Sequence, residues 1–178
     1  PAPNAVGGGF ANALGGTIVM VAIACSFSIP IGVFGAVYVV EFGERLSKVV
    51  MLVANVLYSV PSILIGVFVY SSIVLPTTFI SHGRYSFSAL AGGIALGIVM
   101  LPIVFRTTVE SLKQIDAEIR WAGLAVGATA SQVVLGVVLP GAGASIVTGI
   151  LLGIARIAGE TAPLIFTALF NQYWARSL

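Results

Sequence analysis

The chain has 178 residues, 58% of them hydrophobic and 8% charged, with a mean hydropathy of +1.11 and a formal net charge of +2. A soluble domain carries about 25% charged residues, so this composition excludes a water-covered fold and places most of the surface in lipid. The small, dispersed basic excess excludes a nucleic-acid footprint, and Cys25, the single cysteine, excludes an intrachain disulfide.

The chain opens at Pro1 with no Met-led basic leader and closes at Leu178 just after a polar stretch. Both ends read as cuts in a longer protein. Residues 1–40 carry no charge, and Asn4, Gly7, Gly8, Gly9 and Asn12 suit a loop or interfacial lead-in. A first span is expected over about 13–40, since about 20 apolar residues cross a bilayer. Pro30 inside it predicts a tolerated kink. EFGERLSK, residues 41–48, ends that span with four charges. A second span follows over about 49–75, kinked near Pro61 and ended by Pro76. Residues 77–88 read as a polar loop whose Tyr85 and Phe87 suit a membrane interface. His82 has no Cys, Asp or Glu near it and makes no metal site. The third span, about 88–105, carries Gly93 and Gly97 at the spacing that lets helices pack closely.

Residues 106–140 hold Arg106, Glu110, Lys113, Asp116, Glu118 and Arg120, a charged block between apolar runs. Three alternating spans put residues 41–48 and this block on one side. That side holds Arg45, Lys48, Arg106, Lys113 and Arg120, and the opposite loop holds Arg84. This bias places the block in the cytoplasm. Residues 121–155 are uncharged, yet Gly127 followed by Thr129 and Ser131 reads as a helix stop and a new N-cap. Two short cytoplasmic helices are therefore expected, about 109–126 and 131–139. Pro140, Gly141 and Gly143 then break the run, and a fourth span starts near Ala142. It carries Arg156 and Glu160, four residues apart and so on one face of a continuous helix. At about 1.5 Å per residue they lie roughly 21 and 27 Å above Ala142, within or at the edge of an apolar core about 30 Å thick. Pro163 should bend or stop that helix. Tyr173 and Trp174 suit an interface.

The block, with Ala122, Gly123, Gly127, Val137, Leu139 and Pro140, resembles the EAA loop of ATP-binding cassette importer permeases: EAA, three residues, Gly, nine residues, I-x-L-P. Trp121 stands where Glu is usual and Gly123 where Ala is usual. The resemblance narrows to the phosphate permeases of that superfamily. It rests on YSVPSILIGVFVY, LPIVFRTTVESL and an A-R-x-x-G-E-T-A-P-L segment. Here that segment is Ala155, Arg156, Gly159, Glu160, Thr161, Ala162, Pro163 and Leu164.

The resemblance implies an all-α, polytopic transmembrane helical bundle of the type I importer permease kind, here without its first and last spans. Residues 1–178 would form a single transmembrane domain with a coupling region at about 106–140. It implies that Trp121, Ala122, Gly123, Gly127, Leu139 and Pro140 belong to two helices docking on an ATPase, with Gly127 at the turn. The implied partners are a second, PstC-like permease chain, two ATP-binding cassette ATPase subunits and an extracytoplasmic phosphate-binding protein, in a prokaryotic inner membrane with its lipid. ATP and Mg would sit in the ATPase. This chain carries no Gly-Lys-Ser/Thr phosphate loop and no Ser, His and acid set for hydrolysis in the block, so it is expected to be a transport subunit and not an enzyme.

A charge in the membrane usually faces a bundle interior or a water path, and an Arg fork suits an oxyanion. Arg156 is therefore expected to line an anion path with Glu160 positioning it, against a plain structural ion pair. Arg106 would guard the inner mouth, against a solvated helix end shared with Glu110. Lys113, Asp116, Glu118 and Arg120 read as a solvated face or ATPase rim. The competing functions are a permease for sulfate or molybdate, and a non-transporting membrane scaffold or signalling subunit.

Overall fold

The computed structural model describes residues 10–43, 45–80 and 87–168, and all described regular structure is helical. Helix α1, Phe10–Val37, contains Pro30 and continues as a wider π turn, Tyr38–Phe42. After Gly43 comes α2, Arg45–Ser59. Then α3 (Ser62–Val69), a π turn (Tyr70–Val74) and α4 (Leu75–Ile80) run end to end. Helix α5 is Ala89–Lys113, and α6 is Ala117–Ala125. A final run joins α7 (Ala130–Val133), a π turn (Val134–Val138) and α8 (Leu139–Ala158), and α9 is Leu164–Thr167.

Among the described residues four helical runs are long and apolar enough to cross a membrane: Ala13–Phe42, Ser62–Ile80, Ala89–Lys113 and Ala130–Ala158. Large side chains such as Ile18, Phe34, Phe68 and Leu152 are exposed along them. In water that would be costly, but against lipid tails it costs nothing. The run Ala89–Lys113 differs, with 67% of its apolar stretch buried, against 22–33% for the other three.

Several boundaries depart from the sequence expectation. The second span does not run through Pro61. Instead α2 stops at Ser59 and a fresh helix begins at Ser62, because Pro61 sits extended at ψ 133° as its N-cap. Pro76 does not end a span, and Pro140 does not break one. Each follows a π turn by two residues, in the same Val-Leu-Pro sequence. The Leu75 N–H donates to the Tyr70 carbonyl and the Leu139 N–H to the Val134 carbonyl, five residues back. The wider turn shifts the ladder by one residue just where proline cannot donate, so the helix passes through. The third span likewise extends beyond residue 105 to Lys113, and the expected helix over 109–126 is split at 114–116.

The described residues fall into two compact units. The first draws on residues 10–27, 60–80, 87–100 and 154–168. In it the Gly93–Gly97 face of α5 meets α1: a Cβ at Gly93 would strike Ile23, and one at Gly97 the Phe27 ring. The close packing expected from that spacing is present. Phe87 stacks on Tyr70 at 6.3 Å between ring centroids. The second unit draws on residues 28–43, 45–59 and 101–153. Its core joins Ala36, Val39, Ala54, Phe105, Val109, Leu112, Val133, Val134, Val138 and Ile146.

Candidate functional site

In the second unit, α6 and α7 form a helical hairpin. Gly127 makes the turn, with a φ of 89° that only glycine adopts freely. The Ala128 N–H donates to the Gly123 carbonyl and the Gly127 N–H to Leu124, closing the end of α6. Thr129 then caps α7. Its hydroxyl accepts from the Gln132 N–H, and the Gln132 side chain accepts from the Thr129 N–H at 2.8 Å. This capping box is the N-cap that Thr129 was expected to supply. Gly123 lies against Val133, so a β-carbon there would separate the two arms.

The expected coupling residues divide by exposure. Trp121 is 69% exposed and Ala122 is exposed, both on α6. Leu139 is half-buried and Pro140 exposed, but they lie inside the continuous run 130–158 and not at the end of a short helix. That run is about 43 Å long, longer than an apolar core of about 30 Å.

Beneath the hairpin lies an ion pair that sequence reading missed. The Arg120 guanidinium donates to both Glu41 carboxylate oxygens, with the closest contact at 2.8 Å. The Glu41 side chain is only 7% exposed. The same guanidinium donates to the Leu112 carbonyl at 2.9 Å and to Ile115, satisfying carbonyls at the end of α5. Arg120 therefore ties together the end of the first apolar run, the end of α5 and the start of the hairpin. It is not a solvated face residue. Glu41 is 79 positions away, and no periodicity reports such a pairing.

Arg106, also in the second unit, is exposed and lies over the Tyr58 ring at 4.9 Å, a cation–π contact. Glu110 pairs with Lys113 at 3.5 Å instead of with Arg106.

In the first unit, α8 ends at Ala158, and Glu160 lies beyond it. The expectation that Arg156 and Glu160 share one helix face is therefore corrected. The Gly159 N–H donates to Arg156 and the Glu160 N–H to Ile157, bonds that tighten the turn and leave the α-helix. Gly159, with Pro163 downstream, favours that exit. No ion pair joins Arg156 to Glu160 among the described residues. Glu160, half-buried, accepts a hydrogen bond from the Ser62 hydroxyl at 2.7 Å, while Arg156 is exposed. Pro163 packs its backbone on Gly66 of α3. Thus 159–163 is docked onto the start of α3, and Arg156 is left presenting its charge at the end of α8. His82, Arg84, Tyr85, Tyr173 and Trp174 lie outside the described residues, and no group of three or more metal-binding side chains occurs among the described ones.

Comparisons with known proteins identify the family. Over 180 residues the chain is 41% identical to the phosphate transport system permease protein PstA of Yersinia pestis, covering 100% of this chain and 59% of that protein. It is 42% identical over 175 residues to the PstA of Haemophilus influenzae, covering 97% and 59%. The chain thus spans about three-fifths of the curated relatives it matches. A structure of the MetNI methionine ABC transporter in an inward-facing conformation superposes with a TM-score of 0.64 at 25% identity, covering 83% of this chain and 67% of that one. Residues 28–178 match the family model described as the binding-protein-dependent transport system inner membrane component. A helical chain with four apolar runs, an exposed glycine-turned hairpin and this match is a multi-pass membrane protein that belongs to the binding-protein-dependent transport system inner membrane component family.

Proposed function

We propose that this chain is the path-forming part of the permease of an ATP-driven inorganic phosphate importer in a prokaryotic inner membrane. The observation that carries the reading is similarity along the whole chain to proteins named phosphate transport permeases, with identity near 41%. The fold does not choose the substrate, since the similar MetNI structure is that of a methionine transporter.

In this reading Arg156 lines the anion path. It presents a planar donor fork at the end of α8 to a phosphate oxygen pair. Glu160, anchored by Ser62, keeps the 159–163 segment in place beside it. Arg106, seated on Tyr58, guards the inner mouth. The hairpin bearing Trp121, Ala122, Gly123 and Gly127 docks on a cytoplasmic ATPase, with Leu139 and Pro140 carrying its motion into the long run 130–158. The partners are a PstC-like second permease chain, two ATPase subunits that hold ATP and Mg, and an external phosphate-binding protein. ATP closure of the ATPase pair supplies the free-energy difference between outward- and inward-open states.

The test is labelled phosphate uptake by the complete transporter, as wild type and Arg156→Ala, with excess sulfate as competitor. Uptake that ignores sulfate and collapses in the variant supports the reading. Competition by sulfate reassigns the substrate to another oxyanion, and no uptake by an assembled wild-type complex removes transport altogether.

A further inference from the structure

The second unit carries a groove that neither the hairpin nor the arginine sites use. It has a volume of about 650 Å³ and is lined by Val39, Val40, Met51, Leu52 and Val109, with Ser47, Lys48, Asn55 and Lys113 at its polar side. Three elements build it: the π turn that ends the first apolar run, the first three turns of α2, and the last turn of α5. Its elements meet where apolar helices give way to the charged segments 41–48 and 106–120. The chain concentrates Arg and Lys on this side.

The lining is divided in the way a phospholipid is divided. Valine, leucine and methionine side chains offer a surface for acyl chains, and two ammonium groups with the Asn55 amide offer donors to a phosphate. Lys48 is exposed. Lys113 shares a 3.5 Å contact with Glu110, in which both side chains are more than half exposed. Such a pair is worth little and gives way to a doubly charged site. A basic pocket between helices at a membrane surface attracts anionic headgroups.

We propose that this groove binds an anionic phospholipid, with Lys48 and Lys113 on the headgroup phosphate and the acyl chains along Val39, Met51, Leu52 and Val109. The proposal does not depend on which substrate the protein transports. Two lysines match an anionic headgroup and the valine, leucine and methionine wall matches acyl chains, a pairing that an inorganic anion or an acidic peptide segment does not offer.

The test is native mass spectrometry of the complete assembled transporter, titrated in detergent with phosphatidylglycerol or with phosphatidylcholine. The wild type should retain phosphatidylglycerol preferentially, and Lys48→Gln/Lys113→Gln should weaken that retention roughly tenfold. Lys48→Arg/Lys113→Arg keeps both charges and should retain the lipid. Leu52→Trp fills the groove and should expel it with both lysines intact. Equal retention of the two lipids by the wild type needs no variant and overturns the proposal. So does unchanged retention in the glutamine pair, or displacement of the lipid by inorganic phosphate, which would mark a free-anion site. An assembled wild type that retains no phosphatidylglycerol, its groove covered by a partner, equally overturns it.

Discussion

Arg120 and Arg156 can both pair with a carboxylate, and the chain treats them in opposite ways. Arg120 is 23% exposed and holds a nearly buried Glu41, with two backbone carbonyls completing its shell. Arg156 is exposed, and the glutamate four residues on turns away to Ser62. The first guanidinium is consumed by structure. The second keeps its donor fork available. Separation in sequence was a misleading guide to both: 79 positions did not prevent pairing, and four did not secure it. What decides is whether the backbone between the two groups stays helical and whether burial makes an unpaired charge intolerable.

The contrast can be broken most strongly at Arg156. Arg156→Ala should lower phosphate uptake on the order of 100-fold, the loss of two hydrogen bonds to a charged ligand, with the assembled complex intact. Arg156→Lys should lose about tenfold, because charge remains but the fork does not. Full uptake in the lysine variant would remove bidentate contact from the reading. At Arg120 the expected effect is on stability. Arg120→Ala leaves Glu41 without its partner and should cost about 2–3 kcal/mol, read by thermal unfolding of the purified protein. Adding Glu41→Ala should restore part of that loss. If the double variant is the less stable of the two, the pair is not the buried contact described.

The smaller predictions sharpen the surroundings of each arginine. Gly127→Ala forces a side chain into the left-handed region and should cost about 1–2 kcal/mol, with Gly127→Asn milder. An ATPase rate that loses its dependence on transport in Gly127→Ala, with the protein still folded, would tie the hairpin to coupling. Ser62→Ala removes the bond to Glu160 and should cost about 1 kcal/mol, with uptake reduced less than in Arg156→Ala. Equal losses in the two would make the 159–163 segment, and not the Arg156 fork, the sensitive feature.

Much of this was legible before any coordinates. Composition alone requires a lipid-facing protein, and apolar runs of about 20 residues or more make it helical, since a helix satisfies its own backbone in hydrocarbon. Gly127 and Thr129 announced the turn and its cap because their roles are local: φ freedom in one, a hydroxyl within reach of its own backbone in the other. Gly93 and Gly97 announced close packing for a similar reason. Pro76 and Pro140 look like stops, but a π turn two residues upstream lets each helix continue, and only the folded ladder reveals that shift.

The sequence by itself determined the membrane class, the approximate place of the first and third spans, the glycine turn and the charged block, because each follows from hydrophobicity or from bonds within a few residues. Tertiary structure decided which arginine is locked in an ion pair, where α8 ends, that Glu160 belongs to Ser62, and that Lys48 and Lys113 share one groove. Those outcomes depend on segments distant in the chain competing for the same polar partners under low dielectric, and local pattern carries no record of that competition.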